Sequence, residues 1–164
     1  MVAALLGSVI ALAGCQDDDA PPRNKVVAVD QPAQIPNWLT SQDLMEPALW
    51  MRSREVGHPV LSIDPEVDRL RRGLRQASER FFEDERMIAN RTVQASDMLA
   101  QSLQRERFVD VMTGLIDVAD ASPERKSYGQ LCQLYLNLRH AGLDRTAALD
   151  RLSASYRAPK AATK

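Results

Sequence analysis

Few side chains in this sequence could do covalent or acid–base chemistry: Cys15, Cys132, His58, His140 and the acid-rich run Ser78–Arg86, SERFFEDER. A hydrolase needs a nucleophile with a base beside it. His58 precedes Pro59 in a predicted loop, and His140 falls at a predicted helix C-terminus, where a cation complements the helix dipole. Neither histidine has partners at metal-ligand spacing, and no H-E-x-x-H, G-x-S-x-G, P-loop or G-x-G-x-x-G occurs. SERFFEDER offers a carboxylate pair of the kind that cleaves glycosidic bonds. Acids interleaved with Arg80 and Arg86 read first as a solvated helix face laced by i,i+4 pairs. Asn90-Arg91-Thr92 matches a glycosylation sequon. The residues therefore predict no catalytic centre, no metal site and no cofactor.

Cys15 is the better-defined chemical position. Residues 2–14, VAALLGSVIALAG, carry no charge and no proline. As a helix they would reach about 20 Å, short of the ~30 Å hydrocarbon core, which favours a secretory apolar region over a spanning helix. Leu12-Ala13-Gly14-Cys15 then resembles the lipobox of bacterial lipoproteins, which signal peptidase II cuts before the cysteine. That resemblance implies diacylglycerol on the Cys15 sulfur and an acylated amine after cleavage, and several acyl chains anchor durably where one does not. It also implies sorting by the following residues. Gln16 follows the cysteine directly and the acids begin at Asp17, which points to the outer membrane, facing the periplasm. No Lys or Arg precedes Cys15, although secretory signals open with positive charge, which fits a start site upstream. With Cys15 lipidated, Cys132 has no intrachain partner. It is then either a buried small hydrophobe beside Leu131 or one half of an interchain disulfide.

These positions need elements to hold them. Residues 1–14 read as a lipoprotein signal peptide and 15–36 as a lipidated, disordered tether broken by Pro21, Pro22, Pro32 and Pro36. Residues 37–158 read as an α-helical periplasmic domain and 159–164 as a frayed tail. Trp38 and Trp50 sit in a segment where Thr40 or Ser41 can cap a helix and Pro47 forces a kink or a second start. The two Trp either cover the main helices or form a candidate partner-binding patch.

Asp64-Pro65-Glu66 is a helix start, with a capping Asp and Pro at the first helical position. Apolar residues then recur every three or four positions from Val67 to Leu103, with Glu85 and Thr92 filling two gaps in the stripe. That stripe allows one helix of about 40 residues, or a helical hairpin broken near Asn90 or beyond Leu103. Phe108–Ala119 carries a wide apolar face. Ser122-Pro123 opens a third unit, and Gly142 and Asp144 mark the turn of an αα-hairpin. The expected fold is all-α: a long amphipathic helix or helical hairpin packed with a C-terminal αα-hairpin, preceded by a disordered tether.

With 21 Lys and Arg against 22 Asp and Glu, the net charge of −1 predicts no standing attraction to nucleic acid. The combined expectation is a non-enzymatic helical binding module. It would be tied to a membrane through Cys15 and would serve an envelope protein, such as a secretion, pilus or conjugation apparatus. A structural rod linking envelope layers and a cell-wall-modifying enzyme are the alternatives. Oligomeric state is not fixed by the sequence.

Overall fold

A computed structural model of the chain describes residues 35–157. The expected signal peptide, Cys15, Gln16, Asp17, almost all of the expected tether and residues 159–164 lie outside the described residues. Among the described residues six helices follow one another: α1 Pro47–Val56, α2 Pro65–Arg80, α3 Glu85–Gln101, α4 Phe108–Ala119, α5 Tyr128–His140 and α6 Arg145–Arg157. The described domain is all-α, as expected, and the α5–α6 hairpin is present. Helix α1 packs on α2 and α3, α2 on α4, α3 on α4 and α5, and α6 on α4 and α5. They share one core, whose largest fully buried side chains include Trp50, Tyr128, Tyr135 and Phe81.

The break expected beyond Leu103 is present, with α3 ending at Gln101 and α4 starting at Phe108, but the stripe before it is itself two helices, broken at residues 81–84 rather than near Asn90. Phe81 leaves helical geometry for an extended conformation (φ −112°, ψ 165°), and the Asp84 side chain then caps α3 by accepting from the Met87 N–H at 2.7 Å. The break lets Phe81 turn inward onto Tyr128, with ring centroids 4.9 Å apart and planes at 78°. The apolar stripe runs on through the break because α2 and α3 bury their faces in the same core, so periodicity alone could not reveal it.

The second start expected at Pro47 is present, while the expected caps at Thr40 or Ser41 and at Ser122 are not used. Helix α1 begins at Pro47, the second start, and Thr40 instead closes a turn in which its hydroxyl and N–H both meet Asp43 at 2.7 Å. Helix α5 begins at Tyr128 with Ser127 as its cap, leaving Ser122-Pro123 in the preceding loop. Asp64 does cap α2, accepting from the Glu66 N–H at 2.8 Å, and Asp144 caps α6 through the Ala147 N–H at 2.8 Å. Gly142 takes φ +93°, the left-handed geometry that ends α5, and Leu143 N–H returns to Leu138 O at 3.2 Å. Helices α4 and α6 approach closely because Gly114 has no side chain: a Cβ there would stand 2.8 Å from Leu149 Cδ1.

A clamped junction and groove as the candidate functional site

SERFFEDER does not form a solvated helix face. It contains the α2–α3 junction, which is stitched to the loop between α4 and α5. Phe82 N–H donates to Lys126 O at 3.1 Å, and the Arg125 guanidinium donates to the carbonyls of Ser78 (3.0 Å) and Phe81, closing the C-terminus of α2. Arg80 pairs with Asp120 at 2.6 Å. Glu83 supplies the other half of the stitch. Its carboxylate accepts from the Ser127 hydroxyl at 2.7 Å, the Tyr128 N–H at 2.9 Å and the Gly129 N–H at 3.1 Å. Partial burial works against its charge, but these three donors outweigh it and hold the Glu83 carboxyl below its ordinary pKa. A carboxylate so engaged is a helix cap, with three of its acceptor positions taken by structural donors.

Beside this junction lies a groove of about 400 Å³ lined by Ser122, Pro123, Glu124, Lys126, Leu134, Ser155 and Tyr156. Its floor is mixed: Leu134 is 43% exposed, and the Lys126 ammonium stands 5.2 Å from the centre of the Tyr156 ring. Arg125 adds a second cation, 5.6 Å from the exposed Phe82 ring. Lys126 also pairs with Glu124 at 3.1 Å, so the groove sets an apolar side chain beside an ion pair laid over an aromatic face.

The remaining sequence-derived candidates fall apart in space. Trp50 is fully buried and donates its indole N–H to Pro36 O at 2.8 Å, which removes it as a partner-binding residue and makes it the core's cover. Trp38 is partly exposed, with the Arg91 guanidinium 5.8 Å from its ring. The two Trp therefore do not form one exposed patch. Cys132 is only 4% exposed and burial pushes its thiol up to about 12, so in this fold it is a small hydrophobe rather than an interchain disulfide partner. His58 is exposed in the α1–α2 loop and His140 closes α5, as expected. Asn90 of the sequon is buried, and its amide accepts from Leu39 N–H and donates to Leu39 O, both at 2.9 Å.

One cluster carried no sequence signal. Glu106, in the α3–α4 loop, accepts from Arg139 at 2.7 Å and from the Tyr135 hydroxyl at 2.7 and 2.8 Å, with Arg145 Nε 3.5 Å away. The Glu106 and Arg139 side chains are each 9% exposed. Only the i,i+4 spacing of Tyr135 and Arg139 on α5 hinted at a shared partner. Among the described residues no three His, Cys, Asp or Glu side chains gather where they could hold a metal ion. Nor is any helix there long and apolar enough to cross a membrane.

The MoxZ family model matches residues 49–157, from the first turn of α1 to the last residue of α6, which is more than half of the chain. No curated protein and no solved structure matches.

Proposed function

The chain belongs to the MoxZ family, and on that premise we propose that it is a non-catalytic accessory protein of a methanol-oxidation system, tied to the bacterial envelope through lipid on Cys15. The family points to methanol oxidation in place of the secretion, pilus or conjugation machinery that size and architecture suggested. The observation that carries a binding role is the clamped groove. Its walls are fixed by Glu83, Arg125 and the Phe82–Lys126 bond, and it presents the exposed Leu134 beside the Lys126–Glu124 ion pair and the half-buried Tyr156. A surface fixed in advance loses little entropy on binding. The carboxylates, phenols and thiol with perturbed pKa values are all engaged in structure, which supports binding over catalysis.

Localisation follows the lipobox reading: Cys15 lipidated, Gln16 and Asp17 directing the protein to the outer membrane, periplasmic side. The rod-like alternative is disfavoured, because the longest described helix has 17 residues.

The test uses a bacterium that grows on methanol and carries this gene. Deletion is expected to slow growth on methanol and leave growth on a multicarbon substrate unchanged. Complementation with the full chain restores it, and the Leu134→Glu variant, checked by circular dichroism to retain its helices, does not. A deletion strain growing on methanol at the parental rate overturns the reading.

A further inference from the structure

The end of the bundle opposite the clamped junction has a distinct surface. The α1–α2 loop exposes Leu61 (72%) and Ile63 (80%), and the α3–α4 loop exposes Leu103 (97%). Two links place both loops at one end: Asp64 pairs with Arg52 at 3.2 Å, and Glu55, in the last turn of α1, accepts from the Phe108 N–H at the start of α4 at 3.2 Å. Leu103 has φ +58°, a left-handed conformation that a bulky side chain adopts at a cost. The fold therefore holds this side chain outward in a strained backbone. Nearby acids are engaged: Asp64 with Arg52, Glu66 with Arg69, Asp110 with Arg107, and Glu55 and Glu106 in cap and core. Arg105, two residues from Leu103, is exposed and has no ion pair among the described residues. The chain also enters the described domain here. Ile35 and Asn37 run beside Arg54 and Gly57, with Asn37 accepting from Arg54 at 2.8 Å.

We propose that this end is a lipid-surface footprint: Leu61, Ile63 and Leu103 dip into the interfacial region of the bilayer and Arg105 meets anionic headgroups. The inference rests on the anchor at Cys15. An expected tether of about 20 residues keeps the domain within roughly 60 Å of the membrane, so three aliphatic side chains act at high effective concentration. Aliphatic tips with a lone cation are the composition of an interfacial contact. The opposite end, with its groove, then faces away from the bilayer and toward a partner.

The full lipidated chain is reconstituted in vesicles of phosphatidylethanolamine and phosphatidylglycerol containing lipid-borne nitroxide. Fluorophores are placed through Ser62→Cys, Ser102→Cys or Glu79→Cys, the last lying near the far end of α2. The proposal expects severalfold stronger quenching at 62 and 102 than at 79. It also expects that excess to vanish when Leu61→Ser, Ile63→Ser and Leu103→Gly are combined. Vesicle flotation with equal quenching at all three positions overturns the footprint and leaves the anchor standing. Should reporters at 62 and 102 be shielded from aqueous iodide yet unquenched by lipid, that end belongs to a protein contact. Loss of flotation overturns the anchor, and the footprint falls with it.

Discussion

Glu83 caps helix α5 from 45 residues away: its carboxylate accepts from the Tyr128 N–H at 2.9 Å and from the Gly129 N–H at 3.1 Å. Replacing it with Ala leaves those donors and the Ser127 hydroxyl without their partner. The expected cost is about 1–2 kcal/mol of stability, read from chemical denaturation.

The same carboxylate sets a pH dependence. Its folded pKa lies below the ordinary 4.5, so its stabilisation is fully present above that value and is lost as pH falls through the lower folded value. Glu46, held down by its hydrogen bond to Arg71, acts in the same direction. The melting temperature should fall below about pH 4.5, and Glu83→Gln should flatten part of that fall.

Leu103→Gly is expected to stabilise the domain. Glycine takes φ +58° without strain and the Leu103 side chain is exposed, so relief of about 1 kcal/mol outweighs the entropy of a freer unfolded chain. A lower melting temperature for this variant would show that the side chain contributes packing.

Gly114 measures how tightly α6 lies on α4. A Cβ there meets Leu149 Cδ1 at 2.8 Å and an Arg145 nitrogen at 3.0 Å, both at the ends of flexible side chains. Gly114→Ala should change stability by less than about 1 kcal/mol, and Gly114→Leu should cost about 2–3 kcal/mol by prising the helices apart.

Cys132 should be silent to thiol reagents in the native protein and react on unfolding, because its thiol is buried and pushed up to about 12. A non-reducing gel should show no dimer linked through it. Rapid native labelling would mean that α5 opens more readily than its packing implies.

Breaking the Glu106–Arg139 pair is expected to cost more than any surface ion pair here. Arg139→Met should destabilise by roughly 1–3 kcal/mol because it leaves a buried carboxylate with only the Tyr135 hydroxyl and the more distant Arg145, and adding Glu106→Gln should recover part of that loss.

The sequence disclosed what is local. Asp64-Pro65, Gly142 and Asp144 announce caps whose geometry depends only on near neighbours, and the structure has them where they were expected. It concealed what depends on distant partners. The helix break at Phe81 exists because an aromatic 47 residues later needs a ring against its face, and no period of three or four can report that. Trp50 and Trp38 have the same residue type, yet one is walled in and the other half open, a difference made by packing alone. Of the candidate site, the sequence singled out SERFFEDER as unusual without revealing that its acid caps another helix.

Helices α4 and α5 share a dependence on what precedes them. The first N–H of α4 is answered by Glu55 and the first two of α5 by Glu83, both acids from earlier helices or turns. A chain that emerges N-terminus first, from a ribosome or through a membrane pore, presents each of these acids before the helix that needs it. Each helix thus finds its start already prepared, and the order of synthesis matches the order of assembly. A circular permutant opening between Glu83 and Phe108 would reverse that order, placing both helices ahead of their caps. It should reach the same fold more slowly.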